Sequence, residues 1–326
     1  MNLFRKYNRV IEMKNTLIAI GEALIDFIPE QSGCDFSEVT AFAPKIGGAP
    51  ANVLGAFSKL GGKTQLITQL GDDPFGHKIA DALGRFNIGT DRVLFTKQAN
   101  TALAFVSLDK NGDRTFSFYR NPSADMLYGA DNLTQDIFDD CFALHFCSVS
   151  LGDFPMKAAH TKAIELAKKA GAIISFDPNI RLPLWDSTQK LKAAITEFLP
   201  LADIIKVSDE EIGFITGTDD INDGCRKLLG HAKIVICTCG ARGAYACTEN
   251  AEIFVPSPNI KATDTTGAGD AFIGSFLYSL HRGGYDLQKL AAMSSYDLAE
   301  YTKASVRYCG ISVQSRGAIE SYPETI

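Results

Sequence analysis

From Ala143 onward, short apolar runs alternate with helical patterns, and that rhythm restricts the chain to a small set of folds. The runs ALHFCSV, AIISFD, DIIKVS and KIVICT are separated by helix-patterned stretches from about Met156 to Ala170, near Leu191 to Leu199, and from Asp209. Strands that are apolar throughout are buried on both faces, and the intervening helices cover those faces. The rhythm therefore predicts an α/β fold with a mostly parallel central sheet. Ligands of such sheets gather beyond the carboxyl ends of the strands. Asp177, Ser208 and Thr238 close three of these runs and are expected along one crevice.

Before Ala143 the pattern differs. Ala102 to Leu108 and Thr115 to Tyr119 are strand-like and joined through Asn111-Gly112, a strong hairpin signal. A second pair, Ala23 to Pro29 with Thr40 to Pro44, completes a small antiparallel sheet too thin to bury a core of its own. A lid over a substrate is the natural use of such a sheet. The expected organisation is one domain over residues 1–326, with lid strands inserted at about 23–44 and 102–120. An exposed strand edge and an apolar face also suit pairing with a second copy, so a homodimer through the lid is carried as an expectation.

The run DTTGAGDAFIG, from Asp264 to Gly274, is the most informative chemically. After Asp270 the apolar residues Phe272, Phe276, Leu277 and Leu280 fall at helical spacing and Gly283-Gly284 supplies the stop, so a helix begins at or near Gly267. Gly267 and Gly269 let the backbone approach a ligand closely, and the unpaired N–H groups and dipole of the first turn favour negative charge there. Asp270 stands where a bound phosphate would be repelled. A loop that only grips phosphate has no use for it, whereas a phosphoryl-transfer enzyme needs a carboxylate to take the proton of the attacking hydroxyl. The bland alternative is an ordinary acidic residue in a helix first turn beside a tight turn. The spacing after Gly269 does not fit a dinucleotide fingerprint, and Gly62-Lys63-Thr64 has Phe57 where a P-loop needs its first glycine.

A formal charge of −6 and a pI near 5.4 leave no electrostatic footprint for nucleic acid, which favours small-molecule chemistry. The first fifteen residues carry four basic side chains but no apolar stretch of signal-peptide length, and no later segment has the length and apolarity of a membrane span, so the expected location is the cytoplasm. None of the eight cysteines forms a CxxC pair, and all are read as reduced thiols. The five histidines have no metal-site spacing. Asp73 and Pro74 read as the N-cap and first residue of a helix.

The motifs GEALIDFIP, GGAPANV, LGDDPFG, FSFYRNPSADMLY, DPNIRLPLW, KVSDEE, TCGARGA and DTTGAGDAFIGSF occur in this order over nearly the whole chain. Together they resemble the ribokinase and phosphofructokinase-B family of sugar kinases, and within it the fructokinases. The resemblance implies a ribokinase-like three-layer sandwich with a small β-sheet lid, and transfer of phosphate from ATP, with magnesium, to the 6-hydroxyl of free fructose. It makes Asp270 the base and places Gly267, Ala268 and Gly269 around the migrating phosphoryl group. Asp26, at the end of the first strand, and Gly47, Gly48 and Asn52, at the start of a helix running through Leu60, are implied to hold sugar hydroxyls, with Arg120 and Arg181 aimed into the site. Asn179, Lys206, Ser208, Thr238, Gly240 and Gly243 are implied on the nucleotide side. Glu211 is implied to organise magnesium through water, and Asp264 to hold potassium. Ser208 stands where the family has asparagine, and Ser-x-x-Glu before a helix is equally a capping box; a strand-to-turn reading also explains Gly240 and Gly243. Two rivals stay open: a ketosugar-acid kinase, with Arg120 and Arg181 gripping a carboxylate, and a kinase-like binding protein without turnover.

Overall fold

The computed structural model describes residues 14–31, 33, 36–108 and 114–326. The Asn111-Gly112 turn lies outside the described residues. The chain enters on β1 (Thr16–Ile20), departs through β2 (Leu24–Pro29) and β3 (Phe42–Gly47), and returns by α1 (Ala49–Lys59) to β4 (Lys63–Gly71), α2 (Pro74–Arg85) and β5 (Val93–Thr96). It departs again as β6 (Leu103–Leu108) and β7 (Arg114–Tyr119) and comes back at β8 (Cys141–Cys147). Then α3 (Pro155–Lys169), β9 (Ile173–Asp177), α4 (Thr188–Phe198), β10 (Ile204–Ser208), α5 (Asp209–Thr216), α6 (Ile221–Leu229) and β11 (Ile234–Thr238) alternate as the rhythm predicts. A hairpin of β12 (Gly243–Thr248) and β13 (Ala251–Pro256) precedes α7 (Ala268–Arg282), α8 (Leu287–Ala291) and α9 (Ser295–Ser312).

The main sheet has nine strands in the order β13-β12-β11-β10-β9-β8-β1-β4-β5, parallel except where β12 and β13 run antiparallel. Three of its strands, β1, β4 and β5, come from the half of the chain in which no such pattern was expected. Successive side chains of a strand point to opposite faces. Thus Leu17 and Ala19 of β1 enter one apolar core while Ile18 and Ile20 enter the other. The first core includes residues of α1, α2, α7 and α9, the second residues of α3, α4 and α6. This is the three-layer arrangement of the ribokinase-like fold.

The small sheet has four strands in the order β3-β2-β6-β7. It differs from the expected antiparallel sheet in its middle: β2 and β6 run parallel, and only the outer pairs are antiparallel. Each pair is a return excursion from the main sheet, so both leave it in the same direction. Strand alternation gives this sheet two apolar faces. Leu24, Ile28, Val106, Phe116 and Phe118 face a cleft over the main sheet. Phe27 and Phe105 stack on the other face at 4.7 Å.

Candidate active site

The helix dictated by DTTGAGDAFIG begins where expected. Gly267 is its N-cap, in the left-handed region at φ 70°, where a side chain would also collide with the Tyr322 hydroxyl and Ala318. Tyr322 Oη in turn donates to the Gly267 carbonyl at 2.8 Å. The loop before it is tied down by Asp264: Oδ1 accepts from the Thr266 amide at 2.9 Å and hydroxyl at 2.6 Å, and Oδ2 from the Gly317 amide at 2.9 Å. Cys309 Sγ donates to the Ala268 carbonyl at 3.1 Å. The turn is thus tied down, and the Ala268 amide already donates to the Thr265 carbonyl at 3.2 Å, so it is the next amides of the first turn of α7, those of Gly269 and Asp270, that can meet an anion.

Asp270 lies one residue past Gly269, in the first turn, and lines the cleft. Its Oδ2 accepts from Asn52 Nδ2 of α1 at 2.9 Å. Burial pushes its carboxyl up to about 6, the Asn52 bond pulls it back, Asp177 raises it, and Lys206 and Arg181 lower it. A base poised near neutrality, with its rotamer fixed, suits proton abstraction from an alcohol. The other amide atom of Asn52, Oδ1, is buried and has no hydrogen-bond partner. Such an orphan acceptor at a cleft wall is suited to receive a ligand hydroxyl.

Beneath the turn lies a buried ion pair. Lys206 Nζ donates to Asp177 Oδ2 at 2.9 Å, and both side chains are almost wholly buried. Burial works against the ammonium, but the Asp177, Glu211 and Asp270 carboxylates outweigh it and hold its pKa above the usual lysine range. A Cβ on Gly269 would come within 2.8 Å of Lys206 Nζ, so the glycine makes room for this cation under the anion-binding turn.

Of the residues expected to meet, Asp26, Gly48, Asn52, Asn179, Arg181, Gly267 and Asp270 all line the same cleft, which encloses about 680 Å³ of space, part of it open to solvent. Asn179, at φ 45°, follows Asp177, whose Oδ1 accepts the Asn179 amide at 3.1 Å. Arg181 is exposed at the rim, with Nη1 donating to the Ile180 carbonyl at 2.9 Å. Asp26 is not at the end of the first strand: it is the third residue of β2, in the small sheet, on the cleft side. Gly47 and Gly48 have a packing reason of their own, because a Cβ on the first would strike Asp26 and one on the second would lie 2.5 Å from the Glu22 carbonyl.

Arg120 requires a correction. It is buried rather than aimed into the cleft, because its Nε donates to Asp125 Oδ2 at 3.0 Å, Nη1 to the Val149 carbonyl at 3.1 Å, and Nη2 to Ser150 Oγ at 3.1 Å and to Asp125. Ser208, Thr238, Gly240 and Gly243 cluster at the ends of β10 and β11, beside the cleft rather than in its wall. Ser208 and Glu211 do form a capping box, in which Glu211 Oε2 accepts the Ser208 amide at 2.9 Å, and Oε1 also accepts the Ile180 amide at 2.6 Å. Each oxygen keeps a lone pair for water. Gly243, at φ 126°, has no room for a side chain against Val255. Among the described residues no cluster of three or more His, Cys, Asp or Glu could hold a metal ion.

Sequence reasoning passed over Glu22, Thr266 and the pair Phe116–Phe118 as cleft residues. Glu22 carried a signal, standing four residues before Asp26 within a quoted motif. The phenylalanines showed only the alternation of a hairpin.

The family model for pfkB family carbohydrate kinases matches residues 14–325. The chain belongs to this family. It is 41% identical to fructokinase-2 of Solanum habrochaites over 94% of this chain and 93% of the relative, and 41% identical to the fructokinase of Solanum tuberosum over 94% and 92%. Among solved structures it is similar to the fructokinase of Xylella fastidiosa with bound ATP, with a TM-score of 0.85 and 33% identity over 95% of this chain and 96% of that one. A double mutant of the Vibrio cholerae O395 fructokinase, in fructose, ADP and potassium ion bound form, gives a TM-score of 0.85 at 30% identity over the same shares. No helix among the described residues is long and apolar enough to cross a membrane.

Proposed function

We infer that this chain is a fructokinase, transferring the γ-phosphoryl group of ATP to the 6-hydroxyl of D-fructose. The observation that carries the chemistry is Asp270, fixed by Asn52 in the cleft wall at the amide-rich start of α7. The 6-hydroxyl oxygen attacks the γ-phosphorus, the bond to the ADP oxygen breaks, and the hydroxyl proton passes to Asp270. The first-turn amides of α7 receive the charge that develops on the phosphoryl oxygens. Asn52 Oδ1, Asp26 and the backbone of Gly47 and Gly48 orient the sugar, with Arg181 at the rim. The ends of β10 and β11, with Asn179, Lys206, Thr238, Gly240 and Gly243, form the nucleotide side. Magnesium bound there would neutralise phosphate charge, with Glu211 reaching it through water. The test is ADP release over a panel of sugars, with phosphorus NMR of the product; no release with fructose, or phosphate on another carbon, overturns the assignment.

The finer features belong to the same reading. Asp264, which holds the turn through Thr266 and Gly317, is the residue this reading assigns to a potassium ion, and equal rates in potassium and tetramethylammonium buffers would remove that role. The small sheet acts as a lid of the single unit, and its outer face, with Tyr119 64% exposed and Phe36 45% exposed, is suited to a second copy. A monomer by sedimentation equilibrium at assay concentrations would rule the dimer out. The cytoplasm, where free sugar and ATP meet, is the compartment this reading assigns.

A further inference from the structure

The first turn of α7 has no side-chain cap, because its N-cap is Gly267. A serine or aspartate in that place would engage the amide of Gly269 or Asp270, the two that can meet an anion. Glycine leaves both amides open. It also leaves the turn loose, since a glycine in the left-handed region at φ 70° is the residue at which a backbone pivots most freely. Both amides and the Asp270 carboxylate lie just beyond that pivot, so a rotation at Gly267 would misdirect all three.

The restraint comes from the C-terminal segment. In a trans peptide the carbonyl and the following N–H point opposite ways, so a hold on the one fixes the other. Tyr322 Oη donates to the Gly267 carbonyl at 2.8 Å, which fixes the Gly267–Ala268 peptide. Cys309 Sγ donates to the Ala268 carbonyl at 3.1 Å, which turns the Gly269 N–H to the opposite side. Two consecutive peptides are thus held by side chains. Tyr322 is itself firmly placed: it is buried, its ring lies 6.1 Å from that of Tyr308, and Tyr308 Oη donates to the Pro323 carbonyl at 3.0 Å. Burial pushes the Tyr322 phenol well above its usual range, so it stays a neutral donor. The Gly267 carbonyl also accepts the Ala271 amide at 2.8 Å, and would keep that partner without the hydroxyl. What Tyr322 adds is direction, which a phenylalanine of the same shape would not supply.

We propose that Tyr322, seconded by Cys309, is a positioning residue for phosphoryl transfer, holding the Gly269 and Asp270 amides and the Asp270 carboxylate on their aim while charge develops on the phosphoryl group. Its hydroxyl is committed to Gly267, so it acts through the turn. The proposal rests on the fructokinase reading above. Donors aimed in advance need no reorganisation during reaction, and loss of one such donor lowers turnover about 10²- to 10³-fold. Loosening the brace behind donors that remain should lower it less, by about 5- to 30-fold.

Tyr322→Phe keeps the ring and removes only the hydroxyl. Steady-state ADP release is compared with wild type, together with calorimetry of ADP and of ADP with aluminium fluoride, a mimic of the transferring phosphoryl group, in magnesium and fructose. The expected result is a kcat about 10-fold lower with both KM values within about twofold, and an affinity for the mimic weaker by the same factor while that for ADP alone is unchanged. A kcat within about twofold of wild type overturns the proposal even if the melting temperature falls, and so does an equal loss of affinity for ADP alone. Cys309→Ala frees the next carbonyl and serves should Tyr322→Phe not fold: the same split between kcat and KM is expected, and wild-type kcat overturns the brace equally. Absence of ADP release with fructose in the wild-type chain would instead count against the fructokinase reading.

Discussion

Lowering the pH from 7 to 5 should cut kcat/KM for fructose about tenfold through Asp270 alone. The base acts in its ionised form, and its pKa is raised to about 6, so the active form is present above that value and is lost as pH falls through it. Roughly nine-tenths is ionised at pH 7 and one-tenth at pH 5. The structure also says what sets the position of this limb: burial raises the pKa and the 2.9 Å bond from Asn52 Nδ2 lowers it. A hydrogen bond to a charged group contributes about 1.5–3 kcal/mol, or about one to two pH units at 1.36 kcal/mol each. Asn52→Ala should therefore move the acid limb to about 7–8, in addition to weakening sugar binding. The assay is coupled ADP release at saturating ATP and magnesium from pH 5 to 9, in Glu22→Gln protein so that the Glu22 carboxyl, raised by burial to about 7, does not titrate in the same range. A limb at the same pH with and without Asn52 would refute the argument that Asn52 tunes the base, and a pH-independent kcat/KM would remove Asp270 from the role. At a fixed pH of 8, Asp270→Asn should lose about 10²- to 10⁴-fold in turnover while still binding fructose.

Gly269→Val should abolish phosphoryl transfer while sparing fructose binding, since the new side chain would press on Lys206 and stand before the α7 amides; lost fructose affinity with intact nucleotide affinity in calorimetry contradicts this geometry. Arg120→Ala should destabilise the fold by about 3–5 kcal/mol, because it leaves Asp125 buried and unpaired; urea unfolding within 1 kcal/mol of wild type would show the pair to be dispensable. Saturating fructose should slow amide exchange in Leu103–Leu108 and Arg114–Tyr119, and unchanged protection there would sink the lid.

What was legible in the sequence was local and chemical. The start of α7 at Gly267, the Asp73 cap of α2, which accepts from the Phe75 amide at 3.0 Å and the Gly76 amide at 2.8 Å, and the Ser208–Glu211 capping box are each written within a few residues. Capping and turn chemistry act over that range. Placement of Asp177, Ser208 and Thr238 at strand ends followed from the βαβ rhythm. Long-range facts were hidden. That β2 would lie parallel beside β6 depends on two excursions separated by most of the first hundred residues, and strand alternation reads the same for either direction. The fate of Arg120 turned on Asp125 and Ser150, one five residues away and the other thirty, and nothing local reveals that a guanidinium will be neutralised from within. Arginine beside a hairpin reads as a reaching group unless its partner is already in view.

The register of the small sheet constrains how it can move. Leu24 pairs with Gly47, Ile25 with Leu103, and Leu103 with Tyr119, so all four chain crossings to the main body sit in a row at one end of the sheet. Two of those crossings are pinned by side chains. Thr101, just before β6, gives its amide to Asp73 Oδ2 at 2.8 Å and its hydroxyl to Asp73 Oδ1 at 2.9 Å, and Arg120, just after β7, is held through Asp125 and Ser150. With one edge fastened along its width, the sheet is a door: sliding or peeling would break pins, and swinging about the hinge line would not. A strand of six residues is about 20 Å long, so a swing of about 15° carries the free end roughly 5 Å while the hinge end barely shifts. If the sheet serves as the proposed lid, Asp26, two residues past the hinge, would stay nearly fixed during such a swing, and Ile28 and Phe116, nearer the free end, would travel furthest relative to the cleft.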